Sequence, residues 1–300
     1  MYESFYGFRE KPFSLLPDPA FLYLGRKHRL ALTMLEYGLL NRASITVISG
    51  DVGSGKTTLI RQLLNEVEED VSVGLISNTH QSFGSLLQWV AFAFNLPHEN
   101  LDQVALYRQF VDYLVEQYAA CKRTVLIVDE AQNLSAERLE ELRLLSNVNA
   151  DKDQVVQLVL VGQPELRETL KRPDLRQFAQ RVGVAYHLSP LEEAETDEYI
   201  RHRLTVAGGE PDLFEPAATR FIHRQAGGVP RLINVICDTA LVYGFAENKS
   251  KIDLATVMDV VRDRFETGFL FSENDVSPPV LDAPVAENDS QVDNVKRSKN

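Results

Sequence analysis

Cysteine is scarce: the 300 residues contain only Cys121 and Cys237, far apart and without the paired spacing that metal or redox motifs need. Both are expected to be reduced, small core residues, because free cysteine packs as a buried hydrophobe. The six histidines are scattered, with no spacing that suits a metal site, and are assigned no role. No stretch approaches the ~18 consecutive apolar residues of a membrane-spanning helix. The start, Met1-Tyr2-Glu3-Ser4-Phe5, lacks the basic and apolar regions of a signal peptide. Together these absences point to the cytoplasm. Positive charge is also in deficit. A formal net charge of -12 argues against a surface that is wholly a phosphate-neutralising footprint, although local basic patches remain open. No internal repeat of solenoid period is visible.

What is present is a globular mixture, 44% hydrophobic and 25% charged, enough for one large domain or two modest ones. Residues 1–25 mix aromatics with Pro12, Pro17 and Pro19, which predicts an extended segment lying against a domain surface. A helical pattern follows from Arg26 to Asn41. Short β-branched or apolar runs at Ile45–Ser49, Val71–Ile76, Thr124–Val128, Val155–Val161 and Val184–Leu188 read as buried strands. Amphipathic stretches lie between them near 56–68, 82–95, 103–120, 135–147 and 164–180. Such alternation predicts right-handed crossovers and a mostly parallel sheet covered on both faces, over residues 26–190. After Pro190 only helical patterns occur, near 192–207, 215–225, 229–246 and 253–265, so an all-helical domain is expected over 191–268. Residues 269–300 are rich in Pro, Asp, Asn and Ser and read as a disordered polar tail.

The strongest chemical signal is Gly50-Asp51-Val52-Gly53-Ser54-Gly55-Lys56-Thr57, a phosphate-binding loop set between a predicted strand and a predicted helix. Gly50, Gly53 and Gly55 let backbone N–H groups converge on phosphates, Lys56 supplies charge and Thr57 a hydroxyl for Mg²⁺. Asp51, Val52, Ser54 and Thr58 complete the expected nucleotide contacts. The run Val125-Leu126-Ile127-Val128-Asp129-Glu130 delivers two carboxylates where an apolar strand leaves the sheet, the place where open α/β sheets bind ligands. Asp129 is expected to hold Mg²⁺, and Glu130 to orient and polarise the attacking water. A third strand, Leu158 to Val161, ends in Gly162-Gln163, whose amide would sense the γ-phosphate; a plain helix-entry role before Pro164 is the alternative. Transition-state charge calls for arginine. Arg231, in Gly228-Val229-Pro230-Arg231, would reach back from the helical domain, while Arg176 and Arg181 would meet a neighbouring subunit's nucleotide. A solvated or ion-paired arginine is the alternative for each.

These motifs resemble the ExeA-type (general secretion pathway protein A) branch of the AAA+ ATPases, over residues 1–268. The resemblance rests on Tyr6-Gly7-Phe8 with Lys11-Pro12-Phe13, on Pro17-Asp18-Pro19-Ala20-Phe21-Leu22-Tyr23-Leu24 and on the phosphate loop. It continues through Val128-Asp129-Glu130-Ala131-Gln132, Val161-Gly162-Gln163-Pro164-Glu165-Leu166 and Gly228-Val229-Pro230-Arg231-Leu232-Ile233-Asn234. It implies a P-loop α/β core with a helical lid, and the labels Walker A, Walker B, sensor 1 and sensor 2 for the positions above. It also implies an arginine finger near Arg181, ATP and Mg²⁺ as ligands, and a nucleotide-dependent homo-oligomer such as a hexameric ring. Relatives of this type serve envelope secretion, pilus or exopolysaccharide export assemblies, so an envelope or secretion-system protein is the implied partner. Attachment to the inner membrane would then be peripheral, through that partner. The membrane span and wall-binding region of the secretion members are not legible after the ATPase here, as expected of either a shorter cytoplasmic relative or a fragment. Two other readings remain: a nucleotide-gated DNA-binding regulator of transposition, and a small-molecule kinase. The paired Asp129-Glu130 and Arg231 favour water over a kinase acceptor, and the acidic total weighs mildly against DNA.

Overall fold

The computed structural model describes residues 1–68, 70–77, 84–150 and 153–267. Residues Met1–Val261 form one compact unit. The chain starts with a short helix, α1 (Glu3–Tyr6), then runs through a 3-10 turn at Pro19–Phe21 to α2 (Arg26–Leu40). An alternating series follows: β1 (Ile45–Gly50), α3 (Lys56–Glu66), β2 (Val71–Ile76), α4 (Leu86–Ala93), α5 (Gln103–Ala119) and β3 (Arg123–Val128). It continues through α6 (Ala136–Leu145), the two-residue strands β4 (Asn149–Ala150) and β5 (Asp153–Gln154), then β6 (Val156–Gly162), α7 (Pro164–Leu170), α8 (Arg176–Ala179) and β7 (Val182–Leu188). The helical lid is α9 (Glu193–Val206), α10 (Pro216–Ala226), α11 (Pro230–Ala246) and α12 (Leu254–Glu266).

The main sheet has five strands in the order β2-β3-β6-β1-β7, every pair parallel. Successive residues of a strand point to opposite faces, and here both faces are apolar. Leu126 and Val128 of β3 join Leu158 and Leu160 of β6 in one buried cluster with Phe110, Leu139 and Phe178. Val125, Ile127, Val159 and Val161 join the other, with Leu32, Leu35, Leu59 and Ile60 from α2 and α3. The continuous apolar runs in the sequence reflect this burial on both sides. The order also places β1 between β6 and β7, so that the loops leaving β1, β3 and β6 open along one edge of the sheet.

Several expectations need correction. The helix expected over 164–180 is broken: Pro173 has no N–H and holds Arg172 extended (φ -61°, ψ 144°), so the chain makes α7, a 3-10 turn and α8 instead. The N-terminal segment is not wholly extended, since α1 closes on Gly7 in the left-handed region, and Asp18 accepts from the Ala20 N–H to start the 3-10 turn. Cys121 is exposed at the tip of the turn between α5 and β3, with φ 58°; Cys237 is buried as expected. The β4–β5 pairing had no signal in the sequence, being two residues on each side. Residues 82–83 of the helix expected over 82–95 and the whole polar tail, 269–300, lie outside the described residues. Among the described residues no helix is long and apolar enough to cross a membrane.

Candidate nucleotide-binding site

The loop between β1 and α3 is shaped by its glycines. Gly53 (φ 79°) and Gly55 (φ 97°) are left-handed, a region costly for residues with a Cβ. A Cβ at Gly50 would lie 2.7 Å from the Leu188 carbonyl oxygen, and one at Gly53 would lie 2.4 Å from the Arg231 Cβ. The start of α3 has no side-chain cap on Gly55, so the first turn keeps N–H donors for an anion. Ser54 Oγ is buried with no partner. Lys56 Nζ folds back to donate to the carbonyls of Gly50 (2.7 Å) and Asp51 (2.8 Å). Burial pushes the Lys56 ammonium below its ordinary pKa, opposed by the charges of Glu130 and Asp129. A bound polyanion would favour the charged form.

At the end of β3, Asp129 Oδ2 accepts from Thr57 Oγ1 at 3.0 Å and Oδ1 accepts from the Glu130 N–H at 2.9 Å. Burial is the largest influence on Asp129 and raises its pKa, partly offset by those two bonds. A carboxylate and a hydroxyl side by side are the hard oxygen donors that Mg²⁺ takes along with phosphate oxygens and water. No group of three or more His, Cys, Asp or Glu forms an all-protein metal cage among the described residues. Glu130 is left-handed (φ 53°, ψ 37°), an uncommon conformation for a side chain of its size. Its Oε2 accepts from Gln132 Nε2 (2.6 Å) and from Gln163 Nε2 (3.3 Å). Gln163 also stands directly before α7 with Pro164 at the first helical position, which is the helix-entry placement.

One pocket is lined by Val52, Gly53, Gly55, Lys56, Thr57, Thr58, Glu130, Gln163 and Arg231. A family model described as an AAA domain matches residues 40–170, which span the loop, the acidic strand and Gln163. Over 253 residues the chain is 43% identical to general secretion pathway protein A of Aeromonas hydrophila, across 84% of this chain and 46% of that protein. The chain belongs to the ExeA-type AAA ATPases. It spans a little under half the length of that relative. The fold of this AAA chain is similar to the Aeropyrum pernix ORC2 protein in its ADPNP–ADP complexes (TM-score 0.63, 20% identity, 85% of this chain and 72% of that one). It is also similar to Cdc6p from Pyrobaculum aerophilum (TM-score 0.63, 17% identity, 83% and 71%). At such identities the likeness concerns the fold.

The arginines of this AAA chain divide into two groups. Arg231, in the first turn of α11, donates its backbone N–H to Gly53 O at 3.2 Å, so the lid touches the phosphate loop through main chain as well as side chain. Arg176 and Arg181 lie away from the pocket: Arg176 is exposed on α8, and Arg181 donates to Ser146 Oγ at 3.3 Å.

Sequence reasoning missed the rest of the pocket wall. Residues Ser14 to Asp18 and Phe21 to Tyr23 line it, together with Tyr199, Arg203 and Asn234 of the lid. Arg203 is 6% exposed; it donates to the carbonyls of Pro12 (2.6 Å) and Ser14 (3.2 Å) and to Tyr199 Oη (2.8 Å), which donates in turn to Asn234 Oδ1 (2.7 Å). Its guanidinium also lies 4.9 Å from the Phe21 ring centre. His28 was assigned no role, yet its Nε2 is 2.9 Å from Ser54 O, which can only accept, so Nε2 carries the proton. Its Nδ1 is buried without a partner, and burial lowers the pKa of the ring. No spacing in the sequence picks out His28; α2 must first be laid beside the loop. The opening motif, with its aromatics and prolines, was the available signal for the N-terminal wall.

Proposed function

We propose that this chain binds Mg²⁺-ATP between the sheet edge and the lid and hydrolyses it, driving or switching an envelope-associated secretion, pilus or export assembly. The observation that carries the reading is the meeting of Lys56, the Thr57–Asp129 pair and Glu130 at one loop. Lys56 would leave its two carbonyl partners to neutralise phosphate oxygens, and the free N–H groups of the α3 start would bind the same anion. Thr57 and Asp129 would hold Mg²⁺, which supplies charge neutralisation to the phosphates when bound. Glu130 would orient the attacking water and take its proton, with Gln163 between it and the terminal phosphate. Arg231 would approach the phosphates from the lid. Arg176 and Arg181, lying away from this pocket, suit contact with the nucleotide of a neighbouring copy in a homo-oligomer.

The similarity to general secretion pathway protein A supports an envelope partner met at the inner membrane's cytoplasmic face. The net charge of -12 weighs against the DNA-adaptor reading. The test is Glu130→Gln: ATP should be retained while phosphate release falls by about 100-fold or more, the range for loss of a general base. Unchanged release would refute the proposal.

A further inference from the structure

Gln132 sits between two groups that the proposed reaction needs. Its Oε1 accepts the Gln163 N–H at 3.0 Å and its Nε2 donates to Glu130 Oε2 at 2.6 Å. The chemistry of the partners fixes the orientation of this amide, since a backbone N–H can only donate and an ionised carboxylate can only accept. A single side chain therefore joins the end of β3 to the end of β6. The space for it is made by Gly162: a Cβ there would lie 2.9 Å from Gln132 Oε1, 3.2 Å from Gln132 N and 3.0 Å from Leu166 Cδ2. Gly162 is thus required for room at the Gln132 amide, since its φ lies outside the left-handed region. Glu130 needs such a tether because its backbone is held at φ 53°, where few side chains rest without outside restraint.

We propose that Gln132 is a positioning residue for ATP hydrolysis, clamping the Glu130 carboxylate against Gln163 so that the water-orienting group and the phosphate-facing amide move as one. This rests on the ATPase reading above. Glu130-Ala131-Gln132 and Gly162-Gln163 would then act as one unit: the glycine admits the amide, and the amide aims the carboxylate. Gln132 does not line the pocket itself, so its loss should slow turnover without weakening nucleotide binding.

The test is steady-state hydrolysis by the full chain, with fluorescent-ATP affinity measured in parallel. Gln132→Ala should lower kcat by about 10- to 100-fold, the worth of one hydrogen bond to a charged group, with KM and nucleotide affinity within about twofold of wild type. Gly162→Ala should give the same pattern, and the double variant should be no slower than the slower single. Should Gly162→Ala fail to fold, Gln132→Glu replaces it, keeping the shape while removing the donor, and should be as slow as Gln132→Ala. A Gln132→Ala protein with wild-type kcat, or with raised KM at unchanged kcat, or effects that multiply in the double variant, would overturn the proposal. Glu130→Gln in the same assay separates the two readings. If it is inactive while Gln132→Ala is fully active, only the clamp fails; if it hydrolyses like wild type, the ATPase reading fails and the clamp with it.

Discussion

The two walls of the pocket are built by different means. The sheet wall is local: eight consecutive residues, Gly50 to Thr57, make a loop whose shape follows from two left-handed glycines and whose one cation is Lys56. Asp129, Glu130 and Gln163 come from elsewhere, at the ends of β3 and β6 in the same parallel sheet. The opposite wall is made of long-range ties. Arg203 holds the Pro12 and Ser14 carbonyls, Tyr6 Oη donates to Lys249 O at 3.1 Å, Arg9 donates to Val206 O at 3.3 Å, Tyr2 bonds Asp238 and Tyr23 bonds Glu198. Burial is the main cause that raises the Tyr2 and Tyr23 pKa values, so both hydroxyls remain donors. These ties fasten the N-terminal segment to the lid helices α9 and α11 and to the turn that follows α11. The site is half motif and half assembly, and its two halves should fail in different ways.

Arg203→Ala should separate the two walls most strongly. It removes the bonds to Pro12 O, Ser14 O and Tyr199 Oη together, at a cost of about 1–3 kcal/mol in denaturant unfolding. Hydrogen exchange should then accelerate along the N-terminal segment and α9, while β1, β3 and β6 keep their protection. Equal acceleration in the sheet would show that the two walls are one cooperative structure.

A smaller effect concerns His28, the point where α2 supports the loop. Its folded pKa is depressed by burial, so between the ordinary value of 6.5 and the lower folded value the unfolded chain binds a proton that the folded chain does not. Stability should therefore fall as pH drops below 6.5, by linkage. Urea midpoints of wild type and His28→Gln, compared at neutral and mildly acidic pH, check this: the variant should lose less stability on acidification. An identical loss would place the acid sensitivity elsewhere.

The same contrast explains what the sequence made legible. All five strands of the sheet and the four lid helices could be read because burial on both faces leaves unbroken apolar runs, and because amphipathic spacing repeats over many residues. The phosphate loop, Asp129-Glu130 and Gln163 could be read because each is a short pattern at a strand end. His28, Arg203 and Tyr199 could not, since each acts through a partner that is distant in sequence or is a bare carbonyl. Gln132 was visible inside a motif, but its work depends on the space left by Gly162, which only the register of β6 beside β3 reveals. The break at Pro173 was available from the residue itself, and helical spacing on either side of it concealed the turn.

The most direct measurement of the central claim is calorimetric binding of Mg²⁺-ATP to wild type and to Lys56→Ala. Wild type should bind with one site per chain, and Lys56→Ala, which loses the buried cation at the phosphate loop, should bind at least about tenfold more weakly. No binding by wild type, or equal binding by the two, would contradict the account.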